Sequence, residues 1–277
     1  TDLLRLNLII NSLVHSIQNI IQGNTILSPF HKDNDALKKF DYIVSNPPFN
    51  MNFSDYREDL FSEDNQLRFF AGIPKVPPKK KDDMPIYQLF IQHILFSLNN
   101  KGKAAIVVPT GFLTGAGIDE KIRKTIIEKK ILSGVVTLPS NIFATTGTNV
   151  SIIFIDIENN KEPILIDASS LGKTVKQGKN KKTVLGIDDE KKITSAYESE
   201  KNIEDFSIRV ATHDFEEKNY SFSAGQHFIV KVKHDDISEK ELKDKIKNYN
   251  ENILNLNNKV KKIEKNIIID IKKIDYE

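Results

Sequence analysis

Cysteine is absent from the 277 residues. That excludes a thiolate nucleophile and any cysteine-ligated metal site within this chain. No apolar run approaches the ~18 residues that would span a membrane, and the start lacks the basic-then-apolar pattern of a secretory leader. Both absences fit a cytoplasmic protein. Charge of one sign is also missing: 40 Lys and Arg against 38 Asp and Glu leave a net charge of +2. The chain as a whole is not the strongly basic footprint of a self-sufficient nucleic-acid binder. What is present, 39% hydrophobic and 28% charged residues, belongs to an ordinary globular protein.

The chain opens at Thr1 on an amphipathic helical pattern with Leu3, Leu6, Ile10 and Leu13 on one face. This start reads as a fragment or a trimmed chain. A short strand is expected at Asn19, Ile20 and Ile21, and a second over residues 40–44. After the polar, proline-bearing residues 50–84 come a helix at 86–98, a strand at 104–108, a helix at 119–129 and a strand at 132–138. Residues 150–157 and 163–167 are further apolar runs. Strands alternating with helices predict an α/β, doubly wound, Rossmann-like sheet, in which ligands sit beyond the carboxyl ends of the strands.

Three regions follow: a partial catalytic domain over 1–160, an extension of it over 161–235, and a helical tail over 236–277. The lysine-rich residues 173–182 read as an exposed loop. In the tail, Leu242, Ile246, Tyr249, Ile253, Leu256, Val260, Ile263 and Ile267 are spaced alternately four and three apart, the seam of a helix that pairs with another helix. The seam serves either a partner or a return onto its own domain.

Asn46-Pro47-Pro48-Phe49 is the candidate for chemistry. Two prolines cannot continue a central strand, so the motif stands at the carboxyl end of the strand at 40–44. Proline restrains the residue before it to extended geometry and offers no N–H of its own. The result is an acceptor-rich corner, with the Asn46 carboxamide oxygen and the Pro47 carbonyl placed to take both N–H bonds of a planar amine. Phe49 supplies a flat apolar face on which a base can stack. Such a corner needs neither a general base nor a metal. The bland alternative is a strand followed by an ordinary proline turn.

Residues 40–50, Phe-Asp-Tyr-Ile-Val-Ser-Asn-Pro-Pro-Phe-Asn, resemble the catalytic motif of the modification (methyltransferase) subunit of type I restriction-modification systems. Further likenesses are Tyr87-Gln88-Leu89-Phe90-Ile91-Gln92-His93, residues 102–109, Lys121-Ile122-Arg123, residues 138–143, Asp167-Ala168-Ser169 and Asn219-Tyr220. The resemblance implies adenine-N6 methylation of double-stranded DNA with S-adenosyl-L-methionine, the target base being flipped out of the duplex. It implies a specificity subunit, a restriction subunit and a second modification subunit as partners. By position, Asn46 and Pro47 would hold the adenine amine, and Pro48 and Phe49 would complete the catalytic corner. Phe143 would pack on the flipped base, or else belong to the core. Asn24 would contact the cofactor's adenine, and Phe90 would either pack on that ring or serve the core.

His93, lacking a partner at ligand spacing, reads as a satisfied surface or boundary residue. Lys79, Lys80 and Lys81 read as a solvated loop or as phosphate contacts. The family's glycine-rich cofactor loop and the acidic residue that follows it are not found here. Gly115-Ala116-Gly117 comes too late in the chain and reads as the start of a helix. A sheet lacking its first strands is therefore expected, together with weak or absent cofactor binding by this chain alone. Two other readings stand beside this one. Release-factor glutamine methyltransferases share the planar-amine chemistry but usually carry Tyr where Phe49 stands, and a non-catalytic assembly fragment would serve to dock on partner subunits.

Overall fold

The structure is a computed structural model and describes residues 2–34, 36–143, 148–178, 180–228 and 239–272. Its contacts divide the chain into two units, Thr1–Phe228 and Ile229–Glu277. The expected boundary between 235 and 236 lies outside the described residues.

The first unit begins with α1 (Asp2–Ile10), followed by a two-stranded ribbon, β1 (Lys32–Asp33) with β2 (Ala36–Leu37), and then β3 (Phe40–Ser45). Next come α2 (Glu63–Arg68), α3 (Tyr87–Ser97), β4 (Leu98–Pro109), α4 (Ile118–Glu128), β5 (Leu132–Thr137), β6 (Val150–Asp156) and β7 (Ile164–Asp167). A ribbon of β8 (Lys173–Gln177) and β9 (Asn180–Val184), then α5 (Ile187–Glu198), β10 (Ser207–Arg209), α6 (Thr212–Glu217) and α7 (Ala224–His227) complete it.

Six strands form one sheet in the order β10-β7-β5-β6-β4-β3. The expected α/β sheet is there, but it is mixed: β3 runs parallel to β4 and β5 to β7, while β6 is antiparallel to both neighbours. It follows that β3, β4, β5 and β7 all point the same way. Their carboxyl ends, Ser45, Pro109, Thr137 and Asp167, share one edge of the sheet. Residues beyond 160 add β7 and β10 to this same sheet, and β8 and β9 form a separate two-stranded ribbon.

Side-chain alternation along the strands assigns the two faces. Ile106, Val108, Val135 and Ile153 meet Ile91 and Ile94 of α3 and Ile122 and Ile126 of α4 in the main core. Val136, Ile164 and Ile166 point the other way, onto Ala196 of α5. A satellite core of Ile26, Phe53, Leu60, Phe69, Met84, Ile86 and Leu89 lies beneath the long loop. Helix α4 starts where Gly117 takes a positive φ of 73°, a turn that suits glycine. Its first turn carries Asp119 and Glu120, favourable at the positive end of the helix dipole.

Four expectations need correction. No strand forms at Asn19–Ile21: a 3-10 helix, Val14–Asn19, occupies this stretch and the next residues are irregular. A strand needs a neighbour, and no described strand pairs with this stretch or with the free side of β3. The second correction concerns residues 173–182, which form most of the β8–β9 ribbon rather than a loop. Third, the strand expected at 104–108 extends back to Leu98 as β4. His93 is the fourth: its ring Nδ1 is buried and unpartnered among the described residues. Burial, with Arg68 and Lys39 nearby, lowers its pKa to about 4.

In the second unit, α8 (Glu239–Lys272) is a single helix of 34 residues. All eight seam residues named above stand exposed on it. None of the described helices is long and apolar enough to cross a membrane.

Candidate active site

Asn46-Pro47-Pro48-Phe49 leaves the sheet directly after β3, at the shared carboxyl edge. Asn46 is exposed, Pro47 is buried, and Phe49 is half-buried against the main core. No described residue hydrogen-bonds the Asn46 carboxamide, so both of its polar atoms remain available. The loop around it is fixed by backbone bonds to the start of α3. The Tyr87 N–H donates to the Phe49 carbonyl at 3.2 Å, and the Met51 N–H donates to the Met84 carbonyl at 3.1 Å.

Behind that contact lies a buried polar network that the sequence reading did not single out. The Tyr87 hydroxyl donates to both carboxylate oxygens of Asp119 at 3.0 and 2.8 Å, and the Gln88 amide donates to the same carboxylate at 2.8 Å. Burial and the neighbouring carboxylate push the Tyr87 phenol well above the ordinary tyrosine range. Burial raises the Asp119 carboxyl, and the Tyr87 and Gln88 hydrogen bonds oppose that rise. One turn on, Arg123 is 1% exposed. Its guanidinium donates to the carbonyls of Phe112 at 2.6 Å, Gly115 at 2.8 Å and Tyr220 at 2.8 Å. Asn219 and Tyr220 are held at positive φ of 52° and 55°, a costly conformation for non-glycine residues. Arg123 ties that turn to α4. A side chain at Gly115 would collide with the Asp119 carboxylate, so Gly115 is a close-packing position and not a phosphate cradle.

The signal for this network was an acid and a base four residues apart on the apolar face of α4, beside Ile122 and Ile126. Charges on a core-facing stripe require partners.

The two residues expected at the cofactor belong to one neighbourhood. Phe90, one turn beyond Tyr87 on α3, packs partly buried on the satellite core, as does Leu27. Asn24 heads the turn that leads into that core. Its side-chain oxygen accepts the N–H groups of Ile26 and Leu27, both at 3.1 Å. That oxygen caps the turn, leaving the amide nitrogen to face outward. Helix α3 thus touches the Asn46 loop through Tyr87 and packs Phe90 on the satellite core that also holds Ile26.

Phe143 is 36% exposed in the loop after β5, which removes the core alternative for it. Its loop lies at the same sheet edge, and the Asn141 carbonyl accepts the Thr183 N–H of β9 at 2.9 Å. Lys80 pairs with Asp83 at 2.9 Å, in keeping with a solvated loop at 79–81. No group of three or more His, Asp or Glu among the described residues forms a metal site.

Residues 1–240 match the family model described as N-6 DNA Methylase. The chain belongs to the N-6 DNA methylase family. It is 27% identical over 279 residues to the type I restriction enzyme MpnII methylase subunit of Mycoplasma pneumoniae, covering 99% of this chain and 50% of that protein. It is 29% identical over 247 residues to the MjaIX methylase subunit of Methanocaldococcus jannaschii, covering 84% and 43%. The chain therefore spans about half the length of these curated relatives. The type I restriction-modification methyltransferase subunit from Streptococcus thermophilus shares the fold, with a TM-score of 0.64 at 23% identity over 80% of this chain and 44% of that one. Membership in this family disfavours the release-factor reading.

Proposed function

We propose that this chain carries the target-base half of an adenine-N6 DNA methyltransferase, the modification subunit of a type I restriction-modification complex. The observation that carries the reading is Asn46. It is an exposed carboxamide with no described partner, set after β3 beside buried Pro47, in a loop whose Phe49 carbonyl is clamped by α3.

The adenine amine is a poor nucleophile because its lone pair is delocalised into the ring. As the nitrogen attacks, it pyramidalises and gains positive charge, so acceptors fixed where that charge develops lower the barrier. The Asn46 oxygen and the Pro47 carbonyl are those acceptors. Phe49 stacks on one face of the flipped base, and Phe143, from the loop after β5, closes on it from another side.

S-adenosyl-L-methionine supplies the methyl group when bound. The residues present fit its adenine end: partly buried Phe90 gives an apolar face on the satellite core, and the amide nitrogen of Asn24, whose oxygen alone caps the turn, can meet a ring nitrogen. Double-stranded DNA is the substrate. A specificity subunit, a restriction subunit and a second modification subunit in the cytoplasm are the partners, with the α8 seam as a docking surface for one of them.

Incubating the whole protein and its specificity subunit with methyl-labelled cofactor and duplex DNA should place the label on adenine N6. Label on a release factor instead would refute the reading. Deleting residues 239–272 should abolish co-purification with the specificity subunit while the first unit stays folded.

A further inference from the structure

The β8–β9 ribbon carries Lys173, Lys176, Lys181 and Lys182, with no Asp or Glu anywhere in residues 173–184. Register sets Lys176 directly opposite Lys181. Like charges facing each other across an antiparallel ladder are destabilising. Among the described residues, none of these four ammonium groups has a carboxylate oxygen within 4.0 Å. Lys80, Lys103 and Lys161, by contrast, each have an acidic partner. Lys173, Lys176 and Lys181 are exposed and Lys182 is half-buried.

The ribbon is also anchored. Gly172 enters it at a φ of 84°, where a side chain would press on Thr183 and the Val184 carbonyl. Thr183 is buried, and its N–H bond to Asn141 ties the ribbon to the loop that bears Phe143. Its place in the fold follows from the topology. Five residues separate it from the end of β7, which shares its carboxyl edge with β3. In the sheet order β7 is four strands from β3, or about 19 Å at the ordinary strand spacing. About five or six phosphate spacings along one DNA strand cover that distance.

We propose that the β8–β9 ribbon grips the phosphate backbone of the duplex whose target base is held at Asn46-Pro47-Pro48-Phe49, an inference that rests on the DNA-methylating reading above. Phosphates supply the counter-charge that the opposed Lys176 and Lys181 lack. The near-neutral total charge conceals this local concentration of cations. A regularly charged polyanion fits lysines on both faces of a ribbon better than one acidic protein patch does.

The test is the salt dependence of binding to a duplex of random sequence, for the full chain and its K176Q/K181Q variant. Each phosphate contact contributes about 0.9 to the slope of log affinity against log salt. The variant should therefore be flatter by about 1.8 and lose about 60-fold in affinity at 0.1 M salt. Its thermal midpoint should hold or rise, because the opposed charges are gone, and K176R/K181R should keep the wild-type slope. An unchanged slope in K176Q/K181Q, with the wild type binding duplex, overturns the inference and leaves the methyltransferase reading standing. Loss of slope in the arginine variant also overturns it, because charge would not then be the cause. An unchanged slope with lost binding to an acidic protein partner overturns it and reassigns the ribbon. A wild type with no salt-dependent duplex binding overturns it, while label on adenine N6 in the methylation assay would show the larger reading intact.

Discussion

The two halves of the candidate site are built to different standards. The target-base half hangs on a closed framework: Phe49 rests on the main core, its carbonyl is held by Tyr87, and Tyr87 is held by Asp119 within a network of buried hydrogen bonds. Asn24 and Phe90, proposed for the cofactor, stand on or next to the smaller satellite core, and other stretches of the first unit leave apolar side chains uncovered. Helix α1 buries none of its residues, and on β3 Tyr42 and Val44 are 77% and 85% exposed. The Asn46 corner is thus braced by buried contacts within this chain, whereas apolar side chains of α1 and β3 remain uncovered.

The comparison can be broken most forcefully at the core. Phe112→Ala removes a fully buried ring that meets Tyr87 and Phe222 edge-on. It should cost about 3–5 kcal/mol in urea unfolding, and a cost near zero would mean that the framework does not brace the Asn46 loop. Tyr87→Phe keeps the ring and deletes the hydroxyl donated to Asp119. A loss of about 1.5–3 kcal/mol is expected, with the Michaelis constant for DNA rising in the whole enzyme as Phe49 loosens.

His93 sharpens the contrast from the other side. Its pKa is lowered from 6.5 to about 4 in the folded chain, so the unfolded chain binds the extra proton first. Stability should be complete above pH 6.5 and fall as the pH drops through 4. Thermal midpoints for His93→Gln should flatten in that window; an unaltered pH profile would contradict the assignment. The smallest effect belongs to the open face. Val44→Thr should change the stability of this chain by no more than about 0.5 kcal/mol, and a larger loss by calorimetry would show that the side chain is covered.

Legibility followed the same division. The Asn46 motif could be placed at a strand end from proline chemistry alone, and the helices at 86–98 and 119–129 came within one residue of α3 and α4 at each end. Local rules sufficed there because period and breaker residues agree. The strand expected at Asn19–Ile21 failed because strand formation depends on a neighbour, which three residues cannot reveal. The β8–β9 ribbon was hidden by its lysines, whose charge reads as a solvated loop until the register is known. Sequence spacing hinted at Asp119 and Arg123, but not at the Tyr87 hydroxyl that connects them to Phe49. That link joins residues 32 apart.

The central claim is that Asn46 supplies an acceptor to the reacting amine and nothing to the fold. Single-turnover methyl transfer to duplex DNA by the whole enzyme, wild type against Asn46→Ala, tests it most directly when thermal unfolding is recorded on the same samples. A rate lower by about 100- to 1000-fold with an unmoved midpoint is predicted. A near-wild-type rate, or a rate loss explained by unfolding, would contradict it.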